Sequence, residues 1–300
     1  MSIKVPFKQV DVFTSEPYKG NPVAVINCLE LDESEINQSQ LQRIANWTNL
    51  SETSFLFKPT IEKCDYKLRI FTPQTELPFA GHPTLGSCRA YLEFTGKKNV
   101  EKIYQECKLG VIEITSEGEK LSFEGAKTDV VDIPCEVAEE YGKSLSAEIT
   151  ERPRLLEVGP NWVVALVKDA QTCYDMELDF TQMKASNLKH GSTGLIIAGR
   201  YGNEDKYEMR AFCPLDGIAE DPVCGSGSLA LARYLQDVHN YKSTYSFAIS
   251  QGGRVGREGK VSGLIKHESG KITYHVGGQA VTAIDGHILI KLSEESNFST

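Results

Sequence analysis

Three hundred residues, 40% of them hydrophobic, suffice for one large domain or for two cores of about 150 residues each. A formal net charge of −9 and an isoelectric point near 5.3 exclude the basic surface that nucleic-acid binding requires. No run approaches the roughly 18 apolar residues of a membrane helix, the amino terminus lacks a secretory apolar stretch, and the eight cysteines include no C-x-x-C pair, so we expect a cytoplasmic chain with free thiols, no membrane association and no zinc knuckle.

In chain order, residues 10–14 predict a first strand, and Gly20-Asn21-Pro22 breaks the chain before a second at 23–26. Asp32, Glu33 and Glu35 are placed to open a helix whose apolar positions are Leu41, Ile44, Ala45 and Thr48 and which ends near Asn49. Glu52 stands where the chain turns into a strand at 54–57. The second half repeats this order. Gly159-Pro160-Asn161 precedes a strand at 163–167, and residues 192–197 echo 52–57, a count that aligns Glu52 with Ser192. Two later helices carry the apolar stripes Leu85, Cys88, Tyr91, Leu92 and Ser228, Leu231, Ala232, Leu235, Val238. Strand-rich segments with turns at Ser269-Gly270 and Asp285-Gly286 follow.

The echo is an internal duplication. Tyr66 to Pro73 (YKLRIFTP) returns 141 residues later as Tyr207 to Pro214 (YEMRAFCP), and Glu76 to Gly81 (ELPFAG) returns 144 residues later as Glu220 to Gly225 (EDPVCG). Solenoid repeats run only about 20–50 residues, so this period predicts two similar domains facing one cleft. We expect halves at 1–125 and 126–283, with a carboxy-terminal segment of about 284–300 returning to the first.

Gly81-His82-Pro83-Thr84 and Gly225-Ser226-Gly227-Ser228 both sit where a loop enters a helix. A helix N-terminus offers unpaired N–H groups and partial positive charge, which hold a carboxylate without a basic side chain. One such loop alone reads as ordinary capping; two in equivalent places read as a grip on a small anion. The copies then differ: His82 against Ser226, Ala80 against Cys224, Leu77 against Asp221. Each has a bland reading, as a structural histidine, a buried thiol or a turn-forming Asp before Pro222, and Glu52 could simply complete a helix end. Their convergence on one repeat position favours a differentiated site. There is no nucleophile elbow, no H-E-x-x-H, no P-loop and no dinucleotide fingerprint, so a cofactor-independent reaction without metal fits the inventory.

These segments resemble the PhzF family of phenazine-biosynthesis-like isomerases. The resemblance rests on Phe13-Thr14 with Gly20-Asn21-Pro22-Val23-Ala24-Val25, on Asn49-Leu50-Ser51-Glu52-Thr53, on Glu76 through Thr84 and on Glu220-Asp221-Pro222-Val223 with Gly225-Ser226, and it spans nearly the whole chain. It implies an α+β fold of two pseudo-symmetric diaminopimelate epimerase-like domains, each a curved sheet around a central helix, with the site between them. It further implies a homodimer, no cofactor and no metal. Glu52 matches the family's acid/base carboxylate, His82 and Asp221 match polar residues of the catalytic set, and Gly81, Gly225 and Ser226 match the substrate-binding loops. The epimerase relatives use one thiol per loop, whereas here Ala80 occupies the first position and Cys224 the second.

The expected activity is therefore a Glu52-mediated proton shift on a small carboxylate-bearing substrate. A one-thiol racemase or epimerase using Cys224 is the first rival, and a catalytically silent small-molecule-binding protein is the second.

Overall fold

A computed structural model describes residues 2–125 and 128–292. Residues 293–300 of the segment expected to return to the first half, and Ala126 and Lys127 beside the expected boundary, lie outside the described residues. The chain divides into two compact units: Met1–Tyr18, Pro22–Leu121 and Gln279–Thr300 form unit 1, and Lys19–Asn21 with Ser122–Gly278 form unit 2.

The first part of the chain supplies β1 (Ser2–Val12), β2 (Asn21–Asn27), α1 (Gln38–Thr48), β3 (Glu52–Phe57), β4 (Tyr66–Phe71), β5 (Glu76–Leu77), α2 (Gly81–Thr95), β6 (Lys102–Cys107), β7 (Gly110–Glu117) and β8 (Lys120–Glu124). In unit 1, β2 pairs with β3 in parallel, β3 with β4 antiparallel, β4 with β6 in parallel and β6 with β7 antiparallel, while β5 folds back on β4. The parallel steps enclose α1 and α2, as parallel pairs need crossovers long enough to hold a helix.

The next part supplies β9 (Asp129–Asp132), α3 (Cys135–Gly142), β10 (Arg154–Glu157), β11 (Asn161–Leu166), α4 (Ala170–Asp175), α5 (Phe180–His190), β12 (Gly194–Arg200), β13 (Lys206–Cys213), β14 (Ile218–Asp221), α6 (Gly225–His239), β15 (Tyr245–Gln251), β16 (Gly259–Glu268) and β17 (Lys271–Lys291). Unit 2 repeats the pairing series: β11 with β12 parallel, β12 with β13 antiparallel, β13 with β15 parallel, β15 with β16 antiparallel, and β14 back on β13. From Ala280 to Lys291 the long β17 pairs with β1 of unit 1.

Each unit is thus a mixed sheet with helices, α+β in class. In unit 1 the two sheet faces pack on different helices. Ile26, Phe55, Phe57 and Phe71 join Leu41 and Ala45 of α1 in one core. Val10, Val12 and Val23 meet α2 at Gly86, where a Cβ would lie 2.4 Å from Val23. Residues of both parities along β3 are therefore buried, from Thr53 to Phe57, as expected of a strand covered on both faces. Helix α2 is buried continuously from Gly81 to Cys88 and α6 from Gly227 to Ala232, so each is enclosed on all sides over its first turns.

The acidic run does not open α1. Asp32 caps a separate 3-10 turn at Glu33–Glu35, and Asn37 accepts from Ser39 N–H as the true N-cap of α1. The first strand is also longer than the apolar pattern indicates, because residues 2–9 pair with the chain's own distant end.

Candidate active site

Glu52 is positioned by the end of α1 and the start of β3. Asn49 terminates α1 in the left-handed region (φ 55°), a conformation that Asn tolerates better than most residues. Thr48 Oγ1 and Thr53 Oγ1, 2.6 Å apart, tie the helix end to the strand. In register Glu52 sits beside Val23, whose side chain meets α2, so the carboxyl faces that helix.

His82 is the second residue of α2, and its Nε2 stands 3.4 Å from Glu52 Oε2. Both side chains are largely buried, at 8% and 16% exposed. The contact is one of proximity without hydrogen-bond alignment, and Oε2 has no hydrogen-bond partner among the described residues. Burial pushes the Glu52 carboxyl up to about 7, against a smaller opposing effect from a Ser51 hydrogen bond.

Around Glu52 and His82 the helix N-terminus is cleared of side-chain caps. Ala80, the N-cap, has no side-chain acceptor, and Pro83 at the third helical position has no N–H to be capped. The N–H groups of Gly81 and His82 precede the intrahelical hydrogen bonds.

Unit 2 brings Asp221, Cys224, Gly225 and Ser226 together at the start of α6. Cys224 is the N-cap, and its Sγ accepts from Gly227 N–H at 3.2 Å. Gly227 permits this approach, since a Cβ there would lie 2.6 Å from Ile196 and 3.1 Å from the sulfur. Burial raises the Cys224 thiol well above its ordinary range, reinforced by the Asp221 charge. Asp221 Oδ1 accepts from Val223 N–H (3.0 Å) and Asn21 Nδ2 (3.2 Å), so this oxygen braces the loop. Ser226 Oγ accepts from the Trp162 indole at 3.0 Å and lies 3.5 Å from Cys224 Sγ.

The site residues therefore form two sets, Glu52, Gly81 and His82 in unit 1, and Asp221, Cys224, Gly225 and Ser226 in unit 2. The sheet register corrects the alignment of Glu52 with Ser192. Glu52 pairs with Val23 as Gly194 pairs with Trp162, so Gly194 is the counterpart of Glu52. Counting through loops of unequal length produced the two-residue error.

Sequence reasoning also missed several supports. Gln251, 1% exposed, accepts from Cys224 N–H (3.0 Å) and donates to the Asp221 carbonyl (2.9 Å). Arg69 grips Glu76 through two hydrogen bonds (2.8 and 2.9 Å), and Arg210 grips Glu220 likewise (3.1 and 2.8 Å). The signal for these clamps lay inside the repeat, which carries Arg and Glu in both copies, but pairing across a hairpin is not visible in one dimension. Nothing in the sequence marked Trp162 or Gln251.

Among the described residues no group of three or more His, Cys, Asp or Glu is arranged to hold a metal ion, and no helix is long and apolar enough to cross a membrane.

Solved structures define the class of fold. A PhzF-family phenazine biosynthesis protein from Bacillus anthracis superposes with a TM-score of 0.78 over 97% of this chain and 100% of that one, at 24% identity. The sequence then defines the family. The profile of the phenazine biosynthesis-like proteins, PhzC-PhzF, matches residues 10–286. Antisense-enhancing sequence 1 of Schizosaccharomyces pombe is 38% identical, the match covering 95% of this chain and 98% of that protein. The trans-2,3-dihydro-3-hydroxyanthranilate isomerase of Pseudomonas fluorescens is 31% identical, covering 94% and 98%. The chain belongs to the phenazine biosynthesis-like protein family and is an isomerase of that family.

Proposed function

We propose that the protein isomerises a small carboxylate-bearing substrate by a proton shift, with Glu52 as the group that carries the proton. The observation that supports this most directly is the Glu52 carboxyl itself, buried, raised to about 7 and 3.4 Å from an imidazole. A carboxyl poised near neutral pH can both take and return a proton under ordinary conditions, which an exposed glutamate does poorly.

In this reading the substrate carboxylate takes its donors from a helix N-terminus of the kind each copy presents, at Gly81 with His82 or at Gly225 with Ser226. Ionised Glu52 abstracts a proton from one carbon, and the electron pair delocalises toward the substrate's own unsaturated system. The resulting Glu52 acid returns the proton to a second carbon, so no atom is gained or lost. His82 steadies the carboxylate while it is charged, and Asp221 holds the second loop in shape. The named reaction of the Pseudomonas relatives makes a dihydro-hydroxyanthranilate the first substrate to test.

Cys224 fits the racemase alternative poorly. Its thiol is held protonated by burial, and its sulfur is engaged as a helix cap. The deciding experiment incubates the protein with trans-2,3-dihydro-3-hydroxyanthranilate in deuterated water and follows isomerisation and label by mass spectrometry and NMR. Turnover that needs Glu52 and survives Cys224→Ala supports the proposal; unchanged turnover by Glu52→Gln sinks it.

A further inference from the structure

Unit 2 repeats the surroundings of Glu52 with the acid erased. Its counterpart is Gly194, where a Cβ would lie 2.0 Å from the Phe212 carbonyl oxygen and 2.6 Å from Cζ3 of Trp162. The indole of Trp162, only 3% exposed, thus crowds the space that a side chain at position 194 would need. It also makes the contact that the acid makes in the other copy. Glu52 meets His82, and Trp162 meets Ser226, which is the residue 144 positions on from His82.

We infer that Trp162 is a positioning residue that fills one acceptor lone pair of Ser226 and so turns its hydroxyl toward donating a hydrogen bond to an anionic oxygen of the substrate. The inference rests on the reading of Gly225 and Ser226 as carboxylate-binding. A serine hydroxyl has one proton and two acceptor lone pairs. One lone pair is filled by the indole N–H at 3.0 Å, a donor that cannot reverse its role. The second faces Cys224, whose sulfur lies 3.5 Å away and whose thiol remains neutral because it is buried. Either atom can donate in that contact; when an anion takes the Ser226 proton, the neutral S–H is free to fill the second lone pair, so the serine meets an anionic ligand through its O–H. A carboxylate is matched by such a group, and an ammonium or another donor is matched less well.

The arrangement lends itself to a direct reading, because the chain has only two tryptophans. Trp47 is 79% exposed and serves as an internal reference. The full chain, labelled with 15N at the indoles, is observed by two-dimensional NMR with benzoate as the probe anion. Ser226→Ala is expected to move the Trp162 indole signal and leave that of Trp47 in place, with Ser226→Thr restoring it. Benzoate is expected to shift Trp162 in the wild type. Trp162→Phe keeps an aromatic ring but removes the donor, and is expected to raise the Kd for benzoate roughly tenfold, the scale of one hydrogen bond to a charged group. With a turned-over substrate the same variant raises KM more than it lowers kcat, which loss of packing alone does not predict.

A Trp162 signal indifferent to Ser226→Ala overturns the inference, as does wild-type benzoate affinity in Trp162→Phe. Failure of the proton-shift reading registers elsewhere, as retained turnover in Glu52→Gln, and leaves both NMR results readable.

Discussion

The two copies agree where they build and differ where they present chemistry. Both use a bidentate Arg–Glu pair to hold the hairpin that leads into the enclosed helix, Arg69 with Glu76 and Arg210 with Glu220. Both start that helix with Gly and an extended N-cap. At the helix mouth they diverge: a carboxyl beside an imidazole with no side-chain cap in unit 1, an indole on a hydroxyl with a sulfur cap in unit 2. Duplication supplied the same scaffold twice, and in the reading proposed above only unit 1 provides the proton carrier.

The strongest way to break this asymmetry is to remove the proposed proton carrier. Glu52→Gln keeps size and polarity but cannot ionise, and turnover should fall by about a thousandfold, within the usual range for a general acid/base. Benzoate affinity, read by NMR, should stay close to wild type. In the wild type kcat/KM should rise with pH through about 7, where Glu52 becomes the ionised base, and level off above it. A flat profile across pH 6–8 would argue against Glu52 as the base.

The shared clamps offer the next contrast, measured by chemical denaturation. Arg210→Ala strands Glu220, whose side chain is 6% exposed, and removes a donor from the Met176 carbonyl at 2.6 Å. Breaking a buried pair in this way costs about 3–5 kcal/mol. Arg69→Ala should cost clearly less, because Glu76 keeps Lys108 at 2.7 Å. Equal losses would mean that Lys108 does not compensate.

Burial of Glu52 also carries a stability cost whose sign is fixed by linkage. The unfolded carboxyl titrates near 4.5 and the folded one near 7. Between these values the folded protein holds a proton that the unfolded chain has released, so this group's contribution to stability falls as pH rises from 4.5 to 7 and stays low above. Glu52→Gln should match the wild type near pH 4 and exceed it by about 3 kcal/mol at pH 8. No gain at pH 8 would show that the charged carboxylate is better accommodated than its burial implies.

Much of the divergence could be read before any coordinates. Periodicity and the 141- and 144-residue offsets display the repeated strand–loop–helix order, because apolar faces and helix-opening glycines are local signals. His82 against Ser226 and Ala80 against Cys224 follow from the same offset. The partner of each residue does not. That Glu52 meets His82 depends on a strand register set by Val23, 29 residues earlier. That Gly194, not Ser192, is the erased counterpart depends on the Trp162 pairing. Gln251 reaches the Cys224 loop from 27 positions further along the chain, and no spacing rule encodes such a contact. Local chemistry is written locally, while assembly of the site is written in sheet register.

The smallest predicted effect separates two roles for one sulfur. As a cap, Cys224 satisfies a single N–H of α6, and Cys224→Ala should cost about 1 kcal/mol, typical of a lost N-cap. Serine there restores an acceptor and should recover part of that stability. Turnover should change only a few-fold in either variant, through the loosened Gly225 and Ser226 loop. As a catalytic base, the same thiol would be indispensable, and alanine would abolish activity as well as removing the cap. The two roles thus share the stability loss and part in turnover, so an activity assay on the folded variant decides between them. Unit 1 supplies the physical precedent: Ala80 already stands at the N-cap of α2, where Pro83 removes the N–H that Cys224 satisfies at Gly227. A Cys224→Ala, Gly227→Pro pair would test whether that solution transfers, but the Ile196 side chain, 2.6 Å from a Cβ at position 227, must first give way.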